Sequence, residues 1–293
     1  MNISILENKQ CIWQTDVALS RYCTYKIGGK AKYFAKATSK EELSSALKYC
    51  KQNNLRYYLL GKGSNTLFDD RGFNGAVILN ALLGFEQNGD FFDILAGTSF
   101  PLFAIKSAKM GFGGLEYGAG IPGSIGGAIF MNAGASGQEI SNLVESVDFI
   151  DDAGELTTYK KDEISFKYRW SNFHEMNGAI ASVRLKLYPD NSARKKQIEL
   201  VGKRKISQPL NQASCGCVFR NGADFVTGRL IEELGLKGKT IGGAQISTTH
   251  ANFIVNAGSA KAEDVKALVK IIEDTIAEKT GYILEREMRY VSY

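Results

Sequence analysis

Apolar positions along this chain repeat with a helical period in some stretches and a strand period in others, which predicts a mixed α and β fold. Ser39 and Glu42 can form a capping box, and Leu43, Leu47 and Cys50 share one face of the helix that would follow to about Cys50. Tyr57 to Leu60 is a short apolar strand ending in Gly61-Lys62-Gly63-Ser64-Asn65. Further strands are predicted at Ala76 to Leu79, Phe92 to Ala96, Val147 to Ile150 and Ile180 to Leu187, with Asp151 to Gly154 as a hairpin turn. The polar run Pro189-Asp190-Asn191-Ser192 marks a domain boundary. Beyond it come a basic helix from about Ala193 to Ile206 and a helix near Thr227 to Leu234 stopped by Gly235. A last helix from Ala262 to Lys279 aligns Val265, Leu268, Ile272 and Ile276 on one stripe.

Residues 118–137 break this periodicity with seven glycines in twenty positions. Glycine is costly in regular structure, so this density belongs where the main chain turns sharply or approaches something closely. Gly118, Gly120 and Gly123 match the G-x-G-x-x-G dinucleotide fingerprint, but that motif needs a strand before it and a helix opening within it. Residues 108–117 carry three glycines instead of a buried apolar run, and Pro122 removes an amide that should face a pyrophosphate. A glycine-rich anion nest followed by a short helix or strand at Ala128 to Met131 fits better, with a tight buried turn as the plainer alternative. Gly61 to Asn65 is a second loop of amides, hydroxyl and carboxamide able to hold phosphate oxygens, and it is too short for a Walker A motif.

The chain has 293 residues, 44% of them apolar, enough for two domains, and no apolar run long enough to span a membrane. The start MNISILENKQ lacks the features of a signal peptide, and five scattered cysteines argue for a reducing compartment, so a cytoplasmic protein without membrane insertion is expected. A net charge of +5 spread over the chain suits anionic small ligands and no nucleic acid. Cys215 and Cys217 are not a metal signature, because the chain has only two histidines and no second cysteine pair; no metal site is expected. His174 and His250 are too few and too far apart for a nucleophilic triad, and His250 beside an apolar run reads as a hydrogen-bonded core residue.

Six motifs then occur in one order: Thr24-Tyr25-Lys26-Ile27-Gly28-Gly29, Gly61 to Asn65, Gly120 to Gly127, Tyr168-Arg169-Trp170-Ser171, Gly216 to Asn221, and Leu284-Glu285-Arg286-Glu287-Met288-Arg289. Together they closely resemble the UDP-N-acetylenolpyruvoylglucosamine reductase family, also called UDP-N-acetylmuramate dehydrogenases, of bacterial peptidoglycan synthesis. The resemblance spans nearly the whole chain, and the compact length is similar to the shorter, type II-like form. It implies an α+β fold with a two-lobed FAD-binding domain of the vanillyl-alcohol-oxidase or PCMH-like class. That domain would cover residues 1–192, with lobes of roughly 1–75 and 76–192, and a C-terminal α+β substrate domain would cover 193–293. A monomer is expected.

The family reaction carries a hydride from NADPH through non-covalent FAD to the vinyl carbon of UDP-N-acetylglucosamine-enolpyruvate, giving UDP-N-acetylmuramate. By resemblance, Gly61, Lys62, Gly63, Ser64 and Asn65, with Gly120, Ile121, Pro122, Gly123, Ser124, Gly126, Gly127, Ala128 and Ile180, would hold FAD. Arg169 would grip the substrate carboxylate as it becomes an enolate, and Glu287 resembles the family's catalytic glutamate. Cys217 stands where many members have a proton-donating serine, and a thiol is intrinsically more acidic than an alcohol. Tyr168, Lys205, Asn221 and Lys237 are the implied substrate contacts, although Gly222 follows Asn221 where the family often has proline. A flavin oxidase of the same fold and a non-catalytic UDP-sugar binding protein are the two rival readings. No histidine lies near the glycine-rich segment to bond a flavin covalently, and the intact Arg169, Cys217 and Glu287 speak against a decayed site.

Overall fold

A computed structural model describes residues 7–8 and 11–293 of the chain. It divides into two compact units, each assembled from separated stretches. The first unit takes the chain up to Asp16, then Lys32–Lys62 and Asn74–Gly202; the second takes Val17–Ala31, Gly63–Phe73 and Lys203–Tyr293. The expected boundary near residue 192 is a single cut, whereas the compact units interleave. The reason lies in long-range pairing: the short strand Thr66–Phe68 runs parallel to Arg289–Val291, and the Thr24 hydroxyl donates to the Ser214 carbonyl at 2.6 Å.

The early strands are β1 (Glu7–Asn8), β2 (Cys11–Ala18), β3 (Lys30–Ala37), β4 (Tyr57–Leu60), β5 (Thr66–Phe68) and β6 (Gly72–Asn80). All but β5 form one sheet in the order β1-β2-β3-β6-β4, with β4 and β6 parallel. Helix α1 (Lys40–Gln52) serves as the crossover between β3 and β4, and it starts where the capping signal predicts. The Ser39 side chain accepts from the Glu42 amide, but the Glu42 carboxylate reaches one residue further back, to the Thr38 amide and hydroxyl. The face carrying Leu43, Leu47 and Cys50 is fully buried with Ala35, Ala76 and Ile78 in the first apolar core.

The second sheet of the first unit is entirely antiparallel. From one edge its strands are Leu156–Lys160, Val144–Asp151, Gly178–Lys186, β8 (Phe91–Leu95) and β7 (Phe85–Asn88). The predicted Asp151 to Gly154 turn joins its first two strands, closed by Gly154 N–H donating to the Asp151 carbonyl. Helices α2 (Phe100–Lys109) and α3 (Ile125–Phe130) share a second core with this sheet, in which Phe92, Phe100, Ile125, Ile129 and Val183 are buried. The segment before the glycine fingerprint is a 3-10 turn, Glu116–Gly120, and not a strand, so a Rossmann phosphate loop is absent at that motif.

In the second unit, α5 (Thr227–Glu233) and α6 (Ala262–Thr280) accompany an antiparallel sheet of Thr240–Ile241, Ala244–Ile246 and Ile254–Asn256. The long helix α4 (Ala193–Ser207) contains the last crossing between units, at Gly202 and Lys203. Val265, Leu268, Ile272 and Ile276 of α6 are buried, as their spacing predicts, and Gly281 ends the helix at φ 75°, a left-handed conformation that favours glycine. Among the described residues, no helix is long and apolar enough to cross a membrane.

Candidate active site

Within the first unit, Gly61 of one glycine loop meets the other loop at Ser124. A Cβ on Gly61 would lie 2.5 Å from Ser124 Oγ, and one on Gly126 would lie 2.9 Å from the Ala96 Cβ, so neither position accommodates a side chain without movement. Ser124 caps α3 by accepting from the Gly127 amide, while the Ile125 and Gly126 amides are spent on the Thr98 and Ala96 carbonyls. Gly127 itself is exposed and Gly126 buried, so the helix start presents main chain on one side and packs on the other. Gly123 sits at φ 153° and its carbonyl accepts from Phe100, which fixes the turn that Gly120, Ile121 and Pro122 enter. Ala128 is buried beneath, its amide donating to the Ser124 carbonyl. Ile180 is buried in the second sheet, and its carbonyl accepts from the Asn80 carboxamide at 2.8 Å. Lys62, the last residue of this stretch, is exposed.

Arg169 also belongs to the first unit and has φ 56°, a left-handed backbone that a non-glycine residue adopts only when its surroundings impose it. Its guanidinium lies over the Tyr168 ring at 4.7 Å and donates from Nη2 to the Gly134 carbonyl at 3.0 Å. The following hairpin residue, Ser171, donates to the Phe130 carbonyl at the end of α3, so this motif is tied directly to the glycine-rich segment. His174 stacks on Phe130 at 3.8 Å between ring centroids, so the fold brings a histidine beside the glycine-rich segment although none lies near it in the sequence.

The second unit brings Gly63, Ser64 and Asn65 into one framework with Cys217 and Glu287. Gly63 needs its missing side chain: at φ 60°, a Cβ would lie 2.4 Å from the Tyr22 carbonyl oxygen. Cys217 is half-buried and bridges to Phe253, and the next amide, of Val218, donates to the Asn252 carbonyl at 2.8 Å. The Asn252 carboxamide then holds both main-chain groups of Phe219, accepting from its amide at 3.0 Å and donating to its carbonyl at 2.8 Å. The Val218 carbonyl accepts from the amides of Glu287 and Met288, at 2.8 and 3.1 Å. On the other side of the same segment, the Asn65 side chain donates to the Glu287 carbonyl at 2.9 Å and the Asn65 carbonyl accepts from the Arg289 amide at 3.1 Å. Neighbouring Cys215 is fully buried; burial first, then the charges of Cys217 and Glu287, push its thiol well up from the ordinary range.

The remaining candidates are distributed around this framework. Asn221 is exposed, and its Oδ1 accepts from the Thr227 amide that opens α5. Lys205 is exposed on α4. Lys237 pairs with Glu232 at 2.7 Å and adds to the lowering of the His250 pKa, which burial causes first. The His250 Nδ1 accepts from the Asn252 amide at 3.3 Å and its ring packs on Phe253, a structural setting that stiffens the segment opposite Cys217. Among the described residues no group of histidines, cysteines and carboxylates is arranged to hold a metal ion.

Asp69 is the residue that sequence reasoning passed over. Its buried carboxylate accepts two bonds from the Arg71 guanidinium, at 2.8 and 2.9 Å, and one from the Tyr290 hydroxyl at 2.5 Å, locking the C-terminal strand to β5. The Arg71 guanidinium, and after it the Tyr290 hydroxyl, hold this carboxyl far below the usual range. A carboxyl depressed on folding stabilises the protein fully above its unfolded pKa of about 4, and the benefit fades as pH falls toward the folded value. Asp69→Asn is therefore expected to lower unfolding free energy at pH 7 by about 2 kcal/mol, most of it from the buried Tyr290 contact because the Arg71 side is solvent-screened. Urea titrations of both proteins would check this, and the gap should narrow toward pH 3. The acid-acid-Arg-Gly run Asp69-Asp70-Arg71-Gly72 was the only available signal.

Comparison with known proteins places these features in context. Residues 31–160 match a family model described as an FAD binding domain, and residues 208–291 match one described as the C-terminal domain of UDP-N-acetylenolpyruvoylglucosamine reductase. The chain is 47% identical to the UDP-N-acetylenolpyruvoylglucosamine reductase of Protochlamydia amoebophila, over 96% of this chain and 94% of that protein. It is 42% identical to the enzyme of the same description from Chlamydia abortus, over 94% of each. Among solved structures, UDP-N-acetylenolpyruvylglucosamine reductase from Thermus caldophilus superimposes with a TM-score of 0.81 at 35% identity, covering 96% of this chain and 98% of that one.

Proposed function

The chain belongs to the UDP-N-acetylenolpyruvoylglucosamine reductase family, and from that premise we propose that it reduces the enolpyruvyl ether of UDP-N-acetylglucosamine-enolpyruvate to UDP-N-acetylmuramate with NADPH, for peptidoglycan synthesis. The observation that carries the reading is the lacing of Glu287 onto Val218 and Asn65, which holds Cys217 and Glu287 in one hydrogen-bonded framework. FAD fits the glycine-rich segments: Gly61 and Ser124 approach so closely that no side chain intervenes, and Gly127 leaves main chain exposed at the start of α3. Gly61 to Ser64 and Gly120 to Ala128 are the segments that would hold it, together with Ile180, while the Asn65 side chain is bonded instead to the Glu287 carbonyl. Bound FAD supplies two-electron redox chemistry, linking NADPH oxidation to reduction of the vinyl ether.

Hydride addition at the terminal vinyl carbon leaves an enolate at the carbon bearing the carboxylate. Arg169 answers that charge with a planar, permanently cationic fork whose orientation Gly134 and Tyr168 set. Cys217 then donates the proton, a thiol being intrinsically more acidic than an alcohol. Glu287 steadies the enolate by a shared hydrogen bond. Arg169 belongs to the first unit and Cys217 and Glu287 to the second, and each role is open to its own test. Lys205, with Asn221, Lys237 and Tyr168, is assigned to the UDP-sugar, the cationic Lys205 suiting its diphosphate. The protein acts as a cytoplasmic monomer.

A spectral experiment tests the whole reading. The purified protein should be yellow, bleach anaerobically with NADPH, and recover its oxidised spectrum only when the enolpyruvyl substrate is added. Recovery with oxygen alone would make it an oxidase, and absence of flavin a binding protein.

A further inference from the structure

We infer that Asn65 is a positioning residue for Glu287, a role that rests on the assignment of Glu287 to the reduction. Asn65 lies in the glycine loop, and its residue type there first suggests a phosphate contact. Its carboxamide nitrogen instead donates to the Glu287 carbonyl at 2.9 Å, across 222 residues of chain, while its own carbonyl accepts from the Arg289 amide at 3.1 Å. Asn65 thereby brackets Glu287 from its C-terminal side, and the Val218 carbonyl fixes the Glu287 amide from the other. From Thr66 onward the pairing is taken over by the ladder, with Thr66 opposite Arg289 and Leu67 opposite Tyr290. Asn65 is thus the first rung of the contact that seats the C-terminal segment, placed where the ladder itself has not begun.

The contact has a chemical logic. A carbonyl flanked by a side-chain donor cannot rotate away from it without losing a hydrogen bond, so the peptide plane after Glu287 is set, and with it the direction of the Glu287 Cα–Cβ bond from which the side chain starts. Val218, which receives the Glu287 amide, is the residue following Cys217, so the same frame fixes the proton donor and the glutamate relative to one another. Misplacement of a catalytic group by an ångström costs on the order of 10²-fold in rate. Substrate grip need not change.

Asn65→Asp keeps the shape of the side chain and removes the donor, and Asn65→Ala removes both. With either variant, flavin content should stay at the wild-type level and NADPH should bleach the protein at a rate within about twofold of normal. The limiting rate of reoxidation by the enolpyruvyl substrate should fall roughly ten- to hundredfold with little change in the substrate concentration that half-saturates it. In a Glu287→Gln background the same substitutions should add less than about twofold, because the residue they position is already gone. Loss of flavin, equal slowing of both half-reactions, or full additivity with Glu287→Gln would overturn the inference and return Asn65 to the cofactor. Failure of the wild-type protein to reoxidise with the substrate is a separate result, which would remove the family reaction and not the contact.

Discussion

Cys217→Ala is expected to leave anaerobic bleaching by NADPH intact and to slow reoxidation by the enolpyruvyl substrate by about 10²- to 10⁴-fold, the range over which a positioned acid contributes. Cys217→Ser should retain turnover. Stopped-flow absorbance separates the two half-reactions in one protein, and the contrast between the two variants decides the matter. If the sulfur served only to fill space, the smaller serine and alanine would behave alike, since neither restores the volume of the sulfur. If it donates a proton, serine keeps an O–H at the same place and alanine keeps nothing. The backbone on both sides makes the comparison clean: Val218 is held by Asn252 and by Glu287, and Cys217 by its bridge to Phe253, so a change of one side-chain atom leaves the chain where it was. Normal turnover by Cys217→Ala would end the assignment.

Arg169→Lys should reduce kcat/KM for the enolpyruvyl substrate by about 10²- to 10³-fold, the loss seen when one preorganised donor to a developing anion is removed. Steady-state kinetics with NADPH held saturating would measure it. The substitution keeps the charge and surrenders the planar fork, which distinguishes oriented donation from simple attraction. Backbone strain does not blur the result, because φ 56° is equally unfavourable for lysine and arginine. The ring of Tyr168 and the Gly134 carbonyl orient a guanidinium, and an ammonium on a flexible stem makes no such pair of contacts. A change of less than about threefold would show that the carboxylate is held elsewhere.

Much of the secondary structure was legible because its signals are local. The α1 and α6 stripes and the left-handed Gly235 after α5 depend on residues within a few positions of each other. The misfit of the dinucleotide fingerprint was legible for the same reason, since Pro122 and the glycines before it exclude the required strand and helix. Helix α2 was missed although Pro101 in its first turn and buried Phe100, Phe103, Ala104, Ser107 and Ala108 follow a helical period. The interleaving of the units was not legible at all: β5 is three residues long, and its partner strand lies near the C-terminus. The residue types of the candidate site stood in the motifs, but the bonds of Asn65 and Asp69 to the C-terminal segment carry no pattern along the chain. No periodicity marks a carboxamide that reaches a carbonyl 222 residues away.

The composition of the second unit bears on how it can be exchanged. It owns Val17–Ala31 and Gly63–Phe73 as well as the stretch from Lys203 onward. A graft of residues 203–293 from one relative into another would set its C-terminal strand, its Tyr290 hydroxyl and its α6 against the recipient's counterparts of Thr66–Phe68, Asp69 and Asp70, in place of the partners they pack with here. The exchangeable module is therefore three segments that fold as one unit, and a clean exchange carries all three.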